Sequence, residues 1–276
     1  MWAAMLGIFL FSWGPILVRD NEFDALPFAF WRLVGAAVWA AGALHLRGGR
    51  LDARVLRHSL AGGVVFTVNA ATFFTAIKTT TVANAMVIGS TAPIFLLWAA
   101  SRMFNEKISL RVVVATPVAI VGMVITLLGR SEAGGQGSLA GDVLAVVAVI
   151  SFSGYLVASR IARRHLSALE YQAGWSTISA ALMLPVVLVS LDPLFVDDAR
   201  SWVVAAIMSV TAGLAHLMVN YSQRFVPLRA ISMLNMTAPG LAVLWAWFLF
   251  DEQLTGWQWL GAALVVVSVA VVVLDE

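Results

Sequence analysis

Cysteine is absent from this sequence, and charged residues are scarce. Only 12% of the 276 residues are Asp, Glu, Lys or Arg, and 61% are hydrophobic, whereas an ordinary soluble domain carries roughly 25% charged residues. Without cysteine the chain can form no disulfide bond and no Cys-ligated metal site. A water-soluble domain of this size could not bury so much apolar surface, so the composition predicts an integral membrane protein.

Long apolar runs indicate which kind of membrane fold to expect. Each run is about twenty residues long, enough for a helix to cross about 30 Å of hydrocarbon. The runs are continuous, whereas a strand of a membrane β-barrel alternates apolar and polar residues. We therefore predict an all-α integral membrane protein with ten transmembrane helices. No basic segment or cleavage site accompanies the first run, so we expect it to be a span and not a signal peptide. The predicted spans are 2–18, 27–46, 59–77, 83–104, 110–129, 140–159, 168–190, 202–222, 228–250 and 256–274.

The few charges are distributed unequally between the connections. If the N-terminus is cytoplasmic, the inner connections contain twelve Lys and Arg residues and the outer ones four. The positive-inside rule then predicts that both termini are cytoplasmic. The same distribution explains the net charge of +2 as a topology signal, so nucleic acid is not an expected partner.

Two stretches of the chain are nearly the same. TAPIFLLWAASRMFNEKIS begins at Thr91 and TAPGLAVLWAWFLFDEQLT begins at Thr237, 146 residues later. Six positions are identical, and a shared Pro and a shared Glu are not expected from common hydrophobicity alone. This similarity predicts an internal repeat, with a first copy at 1–130, a second at 138–276, and a Gly- and Ser-rich linker between them.

The number of spans in each copy determines how the two copies are related. Five spans are an odd number, so the second copy must enter the bilayer from the opposite side to the first. We therefore predict two inverted five-helix repeats. Repeats of this kind place a binding site near the middle of the membrane and expose it alternately to either side.

Several features together resemble the EamA-type transporters of the drug/metabolite transporter superfamily. These features are the ten spans in two copies, the Trp13–Gly14 pair, Arg32 early in the second span, and the T-A-P…E pattern in spans four and nine. The resemblance implies a carrier of the bacterial inner membrane with cytoplasmic termini, commonly an exporter of amino acids or other small metabolites. One departure is that Trp175 occupies the position that matches Arg32 in the second copy.

The two repeated stretches supply the first candidate site residues. Pro93 and Pro239 each lack a backbone N–H, so we predict that each breaks its helix. Opened backbone is tolerated inside a membrane where protein or water satisfies it, so Thr91, Asn235 and Thr237 are predicted to line the substrate path. The alternative is a packing kink in which the hydroxyl groups bond to their own helix.

A polar stripe on span eight supplies further candidates. His216, Asn220 and Gln223 are spaced at i, i+4 and i+7, which places them on one helix face. Polar side chains in a membrane helix usually face the protein interior, so His216 and Asn220 are predicted substrate contacts. A structural histidine bonded to a nearby carbonyl is an equal alternative for His216.

Three other spans contribute polar or aromatic candidates. Asn69, Thr72 and Phe73 share a face of span three, and spans one and six add Trp13 and Tyr155. Aromatic rings could bind an apolar or cationic group. The alternative is that Trp and Tyr near span ends are interface anchors.

Three charged residues near span ends have structural or functional interpretations. We expect Arg32 to reach outward to an acidic residue near the end of its span, and binding of an anionic substrate group is the alternative. Its expected acidic partners are Asp20, Glu22 and Asp24. Glu106 and Glu252 are expected to cap the following helix or to pair locally, for example Glu106 with Lys107.

No Asp or Glu falls deep within a predicted span, so a carboxylate proton relay has no candidate. His216 is the only titratable group in mid-span with an ordinary pKa near neutrality. Facilitated diffusion or exchange is therefore at least as well supported as proton coupling. The four histidines are scattered along the sequence, so no metal, no cofactor and no enzyme activity are expected.

The sequence thus predicts an alternating-access carrier that exports amino acids or similar small amphipathic metabolites. An alternative is an uptake carrier for a larger aromatic or nucleotide-like metabolite, such as a vitamin or S-adenosylmethionine. A channel or a membrane-embedded enzyme is the alternative of another class. The expected partners are a small-molecule substrate and the lipid bilayer, and a homodimer is left open.

Overall fold

The computed structural model describes residues 1–13, 22–80, 85, 88–128, 138–238, 241 and 255–273. All regular secondary structure within these ranges is helical. The helices are α1 (Trp2–Ser12), α2 (Ala25–Leu46), α3 (Ala53–Thr79), α4 (Ala92–Phe104), α5 (Leu110–Leu128), α6 (Leu139–Ala162), α7 (Ala168–Ser190), α8 (Ala199–Ser222), α9 (Leu228–Asn235) and α10 (Gly256–Val273).

Five of the described helices are long and apolar enough to cross a membrane. These are α2, α3, α6, α7 and α8, each with at least 22 residues, and about 20 are needed. Four shorter described helices, α1, α4, α5 and α10, are also apolar. The ends of predicted spans one and nine, with Gly14, Pro239 and Glu252, lie outside the described residues.

Side-chain caps fix the start of four of the long helices. The side chains of Asp52, Ser138 and Asp198 accept hydrogen bonds from backbone N–H groups in the first turns of α3, α6 and α8. At the start of α7, Ser167 and Glu170 form a capping box in which each side chain accepts from the other residue's backbone N–H. These caps satisfy N–H groups that have no partner within the helix.

The helices before and after the linker are packed against each other. Within the described residues, α3 packs on α6 and α7, α2 on α7 and α8, α1 on α8, α4 on α6 and α9, and α5 on α10. Glycine permits two of these close approaches. A Cβ on Gly63 would lie 2.6 Å from a methyl carbon of Ile178, and one on Gly7 would lie 2.8 Å from the Ala215 carbonyl oxygen. Small residues at helix crossings are typical of membrane proteins.

Pro93, the first of the two predicted helix breaks, does not lie inside a helix as expected but at the start of one. Helix α4 is preceded by turn residues Ser90 and Thr91, and Pro93 lies in its first turn. Proline is well tolerated there because the first N–H groups of a helix have no intrahelical acceptor. The prolines that lie beyond the first turn of a described helix are instead Pro117 in α5 and Pro185 in α7.

Candidate functional site

Five aromatic side chains from five helices meet in the core. The His216 ring on α8 contacts Phe11 of α1, Phe66 of α3, Trp175 of α7 and Tyr155 of α6. The ring centroids are 4.7, 4.9, 5.2 and 5.4 Å away, and all four contacts are edge to face. We call this group the aromatic cluster. Phe66, Tyr155, Trp175 and His216 are buried, so the cluster joins both halves of the chain away from the surface.

A short chain of hydrogen bonds continues from the aromatic cluster along α6 and α8. Asn220, one turn after His216, donates from Nδ2 to the Tyr155 hydroxyl at 2.8 Å. Its Oδ1 accepts from the Ser159 hydroxyl at 2.7 Å. Gln223 is also buried, as the helical spacing predicts, but neither atom of its amide has a hydrogen-bond partner among the described residues.

Arg32 is the cation beside the aromatic cluster. Only 8% of its surface is exposed. Its guanidinium carbon lies 5.7 Å from the centroid of the Phe66 ring and 5.5 Å from that of Phe74. Its Nε atom is buried without a hydrogen-bond partner, and the side chain has no ion pair within the described part of the chain.

The expectation that Arg32 pairs outward with an acidic residue is therefore wrong for Glu22 and Asp24. The third expected partner, Asp20, lies outside the described residues. The Arg32 side chain lies against the rings of α3, inside the bundle, and does not extend toward the end of α2 where these acidic residues lie. This position is consistent with the alternative, in which Arg32 binds an anionic group of the substrate.

The chemistry available in this region follows from an unpaired charge next to rings. A buried cation is strongly disfavoured unless an anion or hydrogen-bond acceptors compensate it. A guanidinium can donate two parallel hydrogen bonds to a carboxylate. Aromatic rings nearby offer a surface for an apolar or cationic group. The region therefore complements a molecule with a carboxylate beside an apolar part.

Of the predicted site residues, Tyr155, His216 and Asn220 meet directly. The sequence reasoning missed Phe66, Trp175 and Phe11 as members of the same cluster. Trp175 was noted only as a departure from the first copy at the Arg32 position. Phe66 precedes Asn69 by three residues and so shares its helix face, which is a signal that could have identified it.

The candidates on α3 make contacts with the protein itself. Asn69 donates from Nδ2 to the Ala148 carbonyl at 2.9 Å and so joins α3 to α6. The Thr72 hydroxyl donates to the Val68 carbonyl of its own helix at 2.7 Å. Phe73 contacts Phe74, with ring centroids 5.6 Å apart. At the end of α1, Trp13 is the C-cap residue and donates its backbone N–H into the helix.

The two threonines of the repeated stretches have the same local geometry. The Thr91 hydroxyl donates to the Ile88 carbonyl and the Thr237 hydroxyl to the Leu234 carbonyl, both at 2.7 Å and both three residues back. Both hydroxyl groups thus bond to a carbonyl of their own segment, which is the alternative to lining the substrate path. The amide nitrogen of Asn235, by contrast, is buried without a described hydrogen-bond partner.

Glu106 connects the two halves at the arginine-rich end of the bundle. Its carboxylate accepts from the backbone N–H groups of Leu228 and Arg229 at 2.8 and 3.1 Å. It also pairs with Arg160 at 2.9 Å. Glu106 was expected to cap the following helix or to pair with Lys107. Both expectations are wrong, because it caps α9 of the other half and pairs with α6.

Histidines that are distant in the sequence also come together at this end. His58 and His165 stack with ring centroids 4.5 Å apart. Within the described residues, no group of three or more His, Cys, Asp or Glu side chains could hold a metal ion.

The bundle of apolar helices defines the class: this is a multi-pass, all-helical membrane protein. The profile of the EamA-like transporter family matches the chain twice, at residues 1–128 and 139–274. The chain belongs to this family, and it is a membrane transporter.

One relative and one solved structure are similar to nearly the whole chain. An uncharacterized transporter from Archaeoglobus fulgidus is 24% identical over 271 residues, which cover 98% of this chain and 94% of the relative. A chain of known crystal structure superposes with a TM-score of 0.86 at 20% sequence identity, covering 99% of this chain and 96% of that one. At this identity the structural likeness concerns the fold alone.

Proposed function

We propose that this transporter is an alternating-access carrier that exports amino acids or similar small amphipathic metabolites across the bacterial inner membrane. The observation that carries the proposal is Arg32, a buried cation with no described counter-ion beside the aromatic cluster. In the proposal, Arg32 binds the carboxylate of the substrate. The rings of the aromatic cluster contact its apolar side chain.

The repeat architecture of the proposal is ten spans in two inverted five-helix repeats, at 1–130 and 138–276. Support comes from the helix contacts. A two-fold axis would relate α1 to α6, α2 to α7, α3 to α8, α4 to α9 and α5 to α10. Under this relation, the contact between α1 and α8 corresponds to the contact between α6 and α3. Likewise, α2 with α8 becomes α7 with α3, and α4 with α6 becomes α9 with α1. All of these contacts occur, as a two-fold axis between the halves requires.

The position of the cluster supports alternating access. Phe11 and Phe66 of the cluster come from the first half, as does Arg32 beside it. The other three rings, Tyr155, Trp175 and His216, come from the second half. A substrate held between two related halves can be exposed to either side when one half moves against the other. The hydrogen bonds between Asn220 and the second-half residues Tyr155 and Ser159 would keep that half's part of the site together during the motion.

We also propose cytoplasmic termini, which the distribution of Lys and Arg supports. The arginine-rich end, where Glu106 meets Arg160 and α9, would then be the cytoplasmic side. Its interhelical contacts would close the site from the cytoplasm. Export would require these contacts to open before the substrate enters.

The test is a substrate screen with the purified chain in proteoliposomes. The panel contains amino acids with aliphatic and aromatic side chains and larger aromatic or nucleotide-like metabolites, each measured with and without an imposed pH gradient. We expect saturable exchange of amino acids. Cells that produce the chain should release the transported compound faster than cells that do not. Saturable flux limited to compounds without a carboxylate would contradict the substrate class, and faster uptake would contradict the direction.

A further inference from the structure

A second polar region lies at the arginine-rich end, where α6 and α8 terminate. A cavity of about 540 Å³ opens there, within the size range of small-ligand sites. Four of its lining residues are arginines and none is acidic. The lining residues are Phe104, Arg160, Arg163, Arg164, His165, Leu166, Ser167, Gln223 and Arg224. We call this cavity the arginine pocket.

Two of the four arginines already have protein partners. Arg160 pairs with Glu106 and donates to the Val226 carbonyl at 2.9 Å. Arg163 donates to the carbonyls of Asn220 and Leu166. These bonds satisfy carbonyl groups near the ends of α6 and α8, a usual role for arginine at a helix C-terminus.

The other two arginines have no such role. Arg164 and Arg224 are exposed. Neither side chain has a hydrogen bond or ion pair within the described residues, and Arg164 only lies over the Phe104 ring at 5.7 Å. Burial, and next the charge of nearby Arg224, lower the pKa of Arg163. The pocket therefore contains two cations, Arg164 and Arg224, that have no hydrogen-bond or ion-pair partner among the described residues.

An independent observation points to a ligand in the same place. Gln223 lines the pocket and is only 3% exposed, yet both Oε1 and Nε2 lack a hydrogen-bond partner among the described residues. A buried amide without partners is disfavoured by the full loss of its hydration. A ligand that accepts hydrogen bonds from Nε2 would compensate that loss, and the same ligand could accept from the free guanidinium groups.

We propose that the arginine pocket binds a phosphate group, held by Arg164, Arg224 and the Gln223 amide. Phosphate oxygens are strong acceptors that match the fork of a guanidinium. The group could belong to an anionic phospholipid, since basic pockets between membrane helices bind such head groups, or to a soluble phosphate. This site is separate from the aromatic cluster and does not depend on the proposed substrate.

The test uses the full-length protein purified in detergent and follows its thermal unfolding by tryptophan fluorescence. One arm titrates inorganic phosphate against potassium chloride of equal ionic strength. The other adds phosphatidylglycerol or, for comparison, zwitterionic phosphatidylcholine. A ligand that binds only the folded state raises the unfolding midpoint in proportion to its occupancy. Native mass spectrometry counts the bound lipid or phosphate.

Two variants and one control separate the pocket from general charge effects. The double variant Arg164→Gln and Arg224→Gln removes two cations that have no described protein partner, so the fold should be unaffected. Gln223→Leu removes the amide while keeping its bulk. The control, Arg47→Gln with Arg57→Gln, removes two exposed arginines outside the pocket.

We expect both pocket variants to weaken the apparent affinity by at least about tenfold, and the control to bind as the wild type does. Stabilisation by phosphatidylglycerol alone would assign the phosphate to a lipid. Stabilisation by both ligands would show that the phosphate group is sufficient. The proposal is overturned if neither ligand stabilises the wild type, or if the pocket variants bind as tightly as the control. A Gln223→Leu variant that is more stable but binds unchanged would likewise overturn the role of the amide.

Discussion

Arg32 and Arg160 are both arginines in the helical bundle, and their surroundings differ in one decisive respect. Arg160 has a carboxylate at 2.9 Å and a backbone carbonyl at 2.9 Å. Arg32 lies against the rings of Phe66 and Phe74 and has no ion pair within the described residues. A charge that the protein itself compensates holds helices together, whereas a buried charge that it leaves uncompensated is available to a ligand. In our proposal, Arg160 is therefore a structural arginine and Arg32 is the arginine that binds the substrate.

The structural side of this contrast predicts the largest change in stability. Arg160→Gln leaves the Glu106 carboxylate, whose side chain is only 8% exposed, without its cation. Breaking one side of a buried ion pair costs about 3 kcal/mol. We expect a corresponding fall in the free energy of unfolding, measured for the purified protein by denaturant titration in detergent.

Arg54→Gln is the matched control for that experiment. Arg54 also pairs with a glutamate, Glu170, but its side chain is 55% exposed. Exposed pairs contribute at most about 1 kcal/mol, so this variant should change little. Equal destabilisation by the two substitutions would contradict a larger contribution of the Glu106–Arg160 pair to stability.

A smaller loss of stability, with a clear loss of transport, is expected around the aromatic cluster. Asn220→Ala removes the partner of the Tyr155 and Ser159 hydroxyl groups, and an unpartnered buried group costs about 1–3 kcal/mol. Membrane insertion should persist because the apolar runs are unchanged. Proteoliposome flux and the amount of inserted protein are measured on the same preparations.

His216 provides a variant that distinguishes packing from ligand binding. His216→Ala removes the ring that touches four others, and His216→Phe replaces it with a ring of similar size. We expect both to impair transport if the imidazole contacts the substrate. Normal flux in both His216→Ala and Asn220→Ala would contradict the proposal that α8 contributes to the substrate site.

The smallest expected effect concerns the start of α8, which carries His216 and Asn220. Hydrogen bonds from Ser201 hold the pKa of Asp198 below its usual range. A carboxyl with a lowered folded-state pKa stabilises the fold above its unfolded pKa and loses that contribution as the pH falls through the folded value. Asp198→Ala should therefore slightly lower the unfolding midpoint at neutral pH and have no effect in acid. A difference that persists at low pH would contradict this role.

Sequence patterns were most informative where a property belongs to one helix. The predicted span 168–190 coincides with α7, and the described part of the predicted span 256–274 is helical throughout as α10. Helical spacing placed His216, Asn220 and Gln223 on a face that is buried in the structure. Each of these results depends on local hydrophobicity or periodicity, which one segment contains.

Contacts between helices of different halves were not predictable in the same way. The partners of Glu106 are on α6 and α9, and Phe66 of α3 contacts rings on α6, α7 and α8. These pairs depend on how the two halves are packed, and a single sequence gives no distances between segments. The capping roles of Ser167 and Asp198, by contrast, can be read from their positions before apolar runs.

The most direct test of the account is transport of matched compounds with and without a carboxylate. Wild type, Arg32→Lys and Arg32→Gln are reconstituted at equal protein content, and each is given an amino acid that the wild type transports and the amide of that amino acid. We expect the wild type to prefer the free acid, and Arg32→Gln to lose at least about tenfold of that flux while its unfolding midpoint does not fall. Arg32→Lys should keep part of the preference. An Arg32→Gln variant that transports the free acid normally, or that unfolds as readily as Arg160→Gln, would show that Arg32 is a structural residue.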